Sequence, residues 1–302
     1  MLQLAPGDIN GHCPETPLWP LLESNPGQAR LVFPEDRFRM TPVAMEFINA
    51  DTNAVDPALT AEFTQALRDG GFVFPARSVH GRFTILKPLG EGVFLVDATY
   101  QVFHAKRRDN RPVVIKTSID PAIETRHIKV SENAERRYYG LLLAGDGRLF
   151  LMTYDHYRLI PLPIDNYHPD EMDFKLVINP LYLTAVWSDE KTIRAVAMDT
   201  DYRPIDHYVH SMSRATVTPM QRLYQVLFPF TLRLENTDGR FLDIKVRPGG
   251  LPSTIGLIIS LAGYVIVEMM RHRHRPGLAG SLLVAITGIY GLIAVTFLET
   301  ER

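Results

Sequence analysis

Apolar positions along the chain fall into three regimes, and each predicts a different kind of structure. Up to residue 40 Pro, Gly and Asn interrupt every apolar run, which predicts a loop-like leader over 1–40. Next, VAMEFI (43–48) has strand composition. Asp56 followed by Pro57 marks a helix start, a side-chain cap with proline in the first turn. Leu59, Phe63 and Leu67 then form one apolar stripe, and Gly70-Gly71 ends it. FVFPA (72–76) is expected to be a short strand, so that residues 41–77 make a small α/β unit.

Beyond residue 78 the period shortens to that of β-strands, and a repeat emerges. FLVDATYQVFHAKRRDNRPVVIKTSID (94–120) aligns with LLLAGDGRLFLMTYDHYRLIPLPID (141–165) and with AVWSDEKTIRAVAMDTDYRPIDHYV (185–209). Each unit reads as strand, Asp-Gly-like turn, strand and return, and ENTDGRFLDIKV (235–246) adds a late hairpin. Asp146-Gly147 and Asp238-Gly239 suit two-residue turns with positive φ at both central positions. A period of about 45 residues is the size of a propeller blade. Three or four units are few for a closed ring, so either a propeller-like body or a stacked β-meander is expected. An inserted helix near 218–228 is capped by Thr218 and opened by Pro219, with Met220, Leu223, Tyr224 and Leu227 expected on its buried side.

The third regime is the tail, 249–302. No charged residue occurs from Gly249 to Val267, a run of 19, nor from Pro276 to Leu298, a run of 23. About 20 apolar residues cross a bilayer as a helix, which predicts a transmembrane hairpin with helices at about 252–270 and 277–298. A pair of core helices in a soluble domain is the competing explanation, disfavoured by the missing polar face. Gly256 with Ser260, and Gly277 with Ser281 and Ala285, are small residues four apart that suit close helix packing in lipid. Arg271, Arg273 and Arg275 in the connecting loop favour a cytoplasmic loop, and hence a body outside the cytoplasm. Arg240, Lys245 and Arg247 on the other side of the first helix weaken that vote. The opening residues MLQLAPGDIN carry neither a basic nor an apolar export region.

Composition changes this picture little. With 32 basic against 34 acidic residues and a mean hydropathy of −0.04, the chain is neither a nucleic-acid binder by charge nor a disordered one. One cysteine, Cys13, excludes a disulfide framework and cysteine-rich metal sites. The most tempting motif is LGEGVFLV (89–96) with VVIKT (113–117), which is similar to the glycine-rich loop and strand lysine of protein kinases. Leu95 stands where the third glycine belongs, and no His-Arg-Asp or Asp-Phe-Gly follows, so Lys116 is expected to be an ordinary strand residue. Asp165, His168, Asp170, Glu171 and Asp173 lack the spacing of a calcium loop. His12 with Cys13 is a weak metal pair, and Tyr154, Tyr157, Tyr167, Tyr202 and Tyr208 are expected to be packing residues. No cofactor, metal or catalytic set is therefore expected. An enzyme would need a site assembled across repeats, for instance from Asp97, His104, Asp155 and His156 together.

The segments LVFPEDRFRM, GFVFPARSVHGRFTILKPLGEGVFLVDATYQVFH and LFPFTLRLENTDGRFL resemble a bacterial domain-of-unknown-function family, DUF4857, over roughly residues 20–250. The diagnostic run is Gly-Val-Phe-Leu-Val-Asp (92–97) with Phe103-His104 behind it. The resemblance implies a membrane-anchored protein encoded beside ABC-transporter permease and ATPase components, with no catalytic residues to carry over. Members generally begin with a membrane helix, so the resemblance implies a shortened start here and leaves a third span of the native protein open. Together these readings suggest a non-catalytic accessory or scaffold subunit of an ABC-type transport or membrane assembly complex. The expected place is the bacterial inner membrane with the body periplasmic, and the expected partners are the bilayer and the permease and ATPase subunits. The alternative is a membrane-bound sensor whose extracytoplasmic β body binds a ligand.

Overall fold

The computed structural model describes residues 1–10, 16–26, 30–212, 218–235, 243–272 and 277–298. The chain forms two compact units, Met1–Ser211 and Met212–Arg302. The boundary lies well before residue 249, where the tail was expected to begin.

The first unit opens with β1 (Leu2–Leu4) and α1 (Pro6–Asn10), followed by an antiparallel sheet of β2 (Asp36–Met40), β3 (Met45–Asn49) and β4 (Ala54–Asp56). Next comes α2 (Pro57–Asp69). Three antiparallel meanders complete the unit. The first is β5 (Ser78–Gly81), β6 (Val93–Val96), β7 (Val102–Arg108) and β8 (Arg111–Lys116). The second is β9 (His127–Val130), β10 (Tyr138–Leu143), β11 (Leu149–Thr153) and β12 (Leu159–Pro161). The third is β13 (Asp173–Ile178), β14 (Leu183–Ser188), β15 (Thr192–Met198) and β16 (Pro204–Ser211). The repeated segments of the sequence are the second to fourth strands of each meander. Val93, Tyr138 and Leu183 open them at intervals of 45 residues. The body is mainly β, and the meanders do not close into a barrel.

Strand alternation explains how these sheets stack. Along β6, Val93 and Leu95 join the core shared with Phe38, Phe47, Phe63 and Leu67, whereas Phe94 and Val96 face the second meander. Along β10 and β11, Leu141, Leu143, Leu149 and Leu151 face the third meander, and Leu142, Phe150 and Met152 face the first. Sheets covered on both faces read as continuous apolar runs rather than as alternation.

α2 follows its sequence signals. The Asp56 carboxylate accepts from the Leu59 amide at 2.9 Å, and Phe63 and Leu67 are buried. Three expectations need correction. The leader is not a plain loop: Leu2 and Leu4 alternate into the core as β1 pairs with β13, and Leu21 and Leu22 are buried. Phe72–Ala76 is not a strand, because its amides are used elsewhere. Phe72 N bonds the Leu67 carbonyl and Val73 N donates to the Asp97 carboxylate. At Asp146-Gly147 only Gly147 has positive φ (86°), in a turn closed by Gly147 N to the Ala144 carbonyl. Two consecutive positive φ values occur instead at Asp109-Asn110 (48° and 61°), between β7 and β8, and at His156-Tyr157 (49° and 58°), between β11 and β12.

Gly140 holds a register irregularity in β10 at φ 153°, where a Cβ would overlap the Lys129 carbonyl of β9. Gly140→Ala is expected to cost about 2 kcal/mol or more, seen as a lower denaturant midpoint, because the ladder to β9 must open. A midpoint within error of wild type would show that the second meander tolerates the shift.

The second unit contains α3 (Pro219–Leu227), the hairpin of β17 (Phe230–Glu235) and β18 (Asp243–Pro248), α4 (Pro252–His272), α5 (Leu278–Thr287) and α6 (Ile289–Leu298). Thr218 and Gln221 form a reciprocal cap at the start of α3. Met220, Leu223 and Tyr224 are exposed, contrary to the buried side expected. α3 meets α4 instead through its last turn, where Gly256 lies against the Val226 and Leu227 backbone. One helix among the described residues is long and apolar enough to cross a membrane, Pro252–Met270 within α4. The second apolar run is divided at Gly288 (φ 61°) into two ten-residue helices, α5 and α6. Each spans about 15 Å, half a hydrocarbon core.

Candidate functional site

Strand β7 has a graded face. Val102, His104, Lys106 and Arg108 all point toward the second meander, and they run from apolar through polar to charged along the strand. The layer between the first two meanders is therefore hydrophobic at one end and ionic at the other. A cavity of about 350 Å³ opens at the ionic end, lined by Ser24, Asn25, Glu91, Lys106, Arg108, Arg136, Tyr139 and Tyr154. The leader closes one side of it, pinned by Ser24 N donating to the Arg107 carbonyl at 2.8 Å.

At its centre the buried Glu91 carboxylate pairs with Lys106 Nζ at 2.5 Å and with Arg136 Nε at 3.4 Å. Arg108 is exposed and has no ion-pair partner among the described residues. Tyr139 stacks on Tyr154 at 3.8 Å and on Tyr157 at 5.2 Å, which makes a rigid aromatic wall. Burial, with the neighbouring Tyr157 and Glu91, pushes the Tyr139 hydroxyl well above its usual range. Burial and the Glu91 charge do the same to Tyr154. The Ser24 and Tyr154 hydroxyl oxygens are both buried without a hydrogen-bond partner.

Behind the wall His104 is fully buried and stacked on Phe94 at 4.2 Å. Its Nε2 bonds the Glu91 carbonyl, so that nitrogen carries the proton and Nδ1 accepts from the Tyr157 hydroxyl at 3.0 Å. Burial, reinforced by Lys106, lowers its pKa to about 3 and keeps the ring neutral.

The four residues that would have revived an enzyme do not converge. Asp97 is buried but spends its carboxylate on the amides of Val73, Thr99 and Gln101. Asp155 and His156 are exposed and their side chains hydrogen-bond to each other, His156 Nδ1 to Asp155 Oδ1 at 2.8 Å. Lys116 is an exposed strand residue. Asp170 pairs with Arg126 at 2.5 Å. Among the described residues no group of three or more His, Cys, Asp or Glu could hold a metal, and His12 and Cys13 lie outside them. Tyr154 and Tyr157 join the core between the first and second meanders, Tyr167 and Tyr202 the next core, and Tyr208 is exposed beside His210.

Of the small residues in the tail, Gly256 makes a close approach and Ser260 is buried. Gly277 is the cap of α5, Ser281 is half-buried and Ala285 is exposed. Tight contacts on α5 and beyond fall instead at Gly280, against the Tyr264 hydroxyl, and at Gly288, against Leu257 and Pro229. The Arg271 side chain, Arg273 and Arg275 lie outside the described residues, as does the Asp238-Gly239 turn.

The sequence pattern of a domain of unknown function, DUF4857, matches residues 1–198, which fall entirely within the first unit. The chain belongs to the DUF4857 family. The family region thus includes the leader, the α/β unit and the meanders as far as β15, together with every residue lining the cavity. No curated protein matches the chain. Among solved structures it is similar to the β-propeller domain of Cps50 (Swd1) from Myceliophteria thermophila, at 12% identity and a TM-score of 0.32, covering 77% of this chain and 64% of that one. It is also similar to PorZ, an essential bacterial surface component of the type-IX secretion system of Porphyromonas gingivalis. That similarity has 9% identity and a TM-score of 0.28, covering 73% of this chain and 32% of that one.

Sequence reasoning missed Glu91, Lys106, Arg136 and Tyr139. The available signal was the even-numbered face of β7, where His104, Lys106 and Arg108 carry polar groups, whereas on the opposite face Phe103 and Ala105 are core and only Arg107, paired with Asp36, is charged.

Proposed function

We propose that this DUF4857 member is a membrane-anchored, non-catalytic accessory subunit of a bacterial ABC-type transport or membrane assembly complex. α4 lies in the inner membrane, and the stacked meanders form a periplasmic platform for the permease and ATPase assembly. The observation that carries this reading is the surface of α4. Only 28% of its apolar stretch is buried, and Ile255, Ile258, Ile259, Ile266 and Met269 are exposed, whereas a soluble core helix would hide them. The tagged chain is expected to stay in the membrane pellet after carbonate washing and to bring transporter subunits with it in mild detergent. Release into the wash, or recovery as a lone monomer, would overturn the proposal.

The cavity favours a second reading, a membrane-bound sensor whose β body takes a small ligand. A ligand that binds only the folded chain raises its melting temperature. In the sensor reading that shift is accompanied by altered protease cleavage within 212–302.

A further inference from the structure

We propose that the cavity between the first and second meanders is a binding site for a small molecule carrying an oxyanion, a carboxylate or a phosphate monoester, held by Arg108, Arg136 and Lys106. The inference deepens the sensor reading and rests on its binding half alone.

Three observations point to this chemistry. Charge comes first: three cations line the cavity against one carboxylate, Glu91. Lys106 is held by Glu91 at 2.5 Å, but Arg136 sits looser at 3.4 Å with its side chain 56% exposed, and Arg108 has no acidic partner among the described residues. Both guanidinium groups can therefore turn to a ligand, and each presents a planar fork that matches carboxylate and phosphate oxygens. The second observation is the pair of unpartnered hydroxyls. Ser24 Oγ and Tyr154 Oη are buried without a partner, a state that costs stability unless something accepts their protons. An oxyanion accepts from both. The third is rigidity. The stacked Tyr139 and Tyr154 rings and the pinned leader fix the walls of a space of about 350 Å³, at the lower end of the range for small-ligand sites. A space of that size takes a metabolite rather than a folded partner.

The test is thermal unfolding of the full chain in detergent, titrated with inorganic phosphate or citrate against sodium chloride at matched ionic strength. A saturable rise in melting temperature is expected with at least one anion, and the stronger of the two identifies phosphate or carboxylate as the source. Arg136→Gln is expected to weaken that anion's affinity roughly tenfold, with partial recovery in Arg136→Lys. Tyr154→Phe separates function from folding. The free variant is expected to melt no lower than wild type, since it loses only an unpartnered hydroxyl, while its affinity for the anion falls several-fold.

The inference is overturned if neither anion exceeds the chloride control, or if the shift is unchanged in Arg136→Gln and Tyr154→Phe. Stabilisation by a neutral or cationic compound that Tyr154→Phe abolishes, with no response to anions, overturns it while leaving the sensor reading in place. Anion binding at the cavity without any change in cleavage of 212–302 supports it and removes the sensor reading.

Discussion

Lowering the pH from about 7 to about 5 is expected to remove about 6 kcal/mol of stability from the first unit, comparable with the whole folding free energy of a domain. Three histidines carry the effect. Burial, with the neighbouring His127, lowers His80 to about 3. Burial and Lys106 lower His104 to about 3, and burial lowers His127 to about 4, with Lys129 and Arg126 adding to it and Asp8 opposing it. The rings of His80 and His127 meet edge to face at 5.1 Å where β5 and β9 pack, so neither gains a compensating charge from the other. In the unfolded chain each would titrate near 6.5. Below that pH the unfolded state takes up protons that the folded state refuses, so stability is present above about 6.5 and falls with pH until the folded values are reached. At pH 5 each histidine contributes a loss of about 2 kcal/mol. Urea midpoints measured across this range should drop steeply, and His80→Gln should flatten the slope by about a third. An unchanged midpoint between pH 7 and pH 5 would mean that these rings are solvated.

What was legible in the sequence follows from the range of the forces involved. α2 was legible because its cap, stripe and stop lie within fifteen residues of one another. The three meanders were legible as a repeat because each is built from local hairpins, and β6, β10 and β14 recur at a fixed interval. β1 was not legible: three residues become a strand only because β13, about 170 positions away, offers an open edge. FVFPA was misread for the complementary reason, since strand composition does not form a strand when the Leu67 carbonyl and Asp97 carboxylate already hold its amides. The second apolar run satisfied the length rule for a span, but one glycine at φ 61° divided it. The cavity joins two leader residues, Ser24 and Asn25, to a strand of one meander and to a strand and turns of the next. The β6–β7 pairing sets Glu91 beside Lys106, and only the stacking of the second meander brings Arg136 to the same carboxylate.

The same stacking buries a second ion pair, whose rupture should be the costliest single change of charge in the first unit. Lys87 Nζ lies 2.5 Å from Glu132 Oε2, and their side chains are 3% and 0% exposed. Glu132 Oε1 also accepts from the Glu91 amide at 2.8 Å, and Lys87 donates to the Arg82 carbonyl at 2.8 Å, so the pair ties the loop before β6 to the turn before β10. Burial dominates both groups. It pushes the Lys87 ammonium down and the Glu132 carboxyl up from their ordinary values, against the attraction of each for the other. A pair held on those terms contributes little net stability, yet either half left alone is an uncompensated buried charge. Glu132→Gln is therefore expected to cost about 3–5 kcal/mol in urea unfolding at neutral pH. Lys87→Met should cost a similar amount at neutral pH and less in acid. The stranded Glu132 carboxyl, its folded pKa raised, binds a proton more readily than it does in the unfolded chain, so that loss shrinks as the pH falls, the opposite slope to the histidines. The double variant Lys87→Met/Glu132→Gln should be more stable than the sum of the two single losses allows, giving a coupling energy of about 1–3 kcal/mol. Strictly additive losses, or single variants within about 1 kcal/mol of wild type, would mean that water reaches the pair and that the meanders do not stack as tightly as their shared core requires.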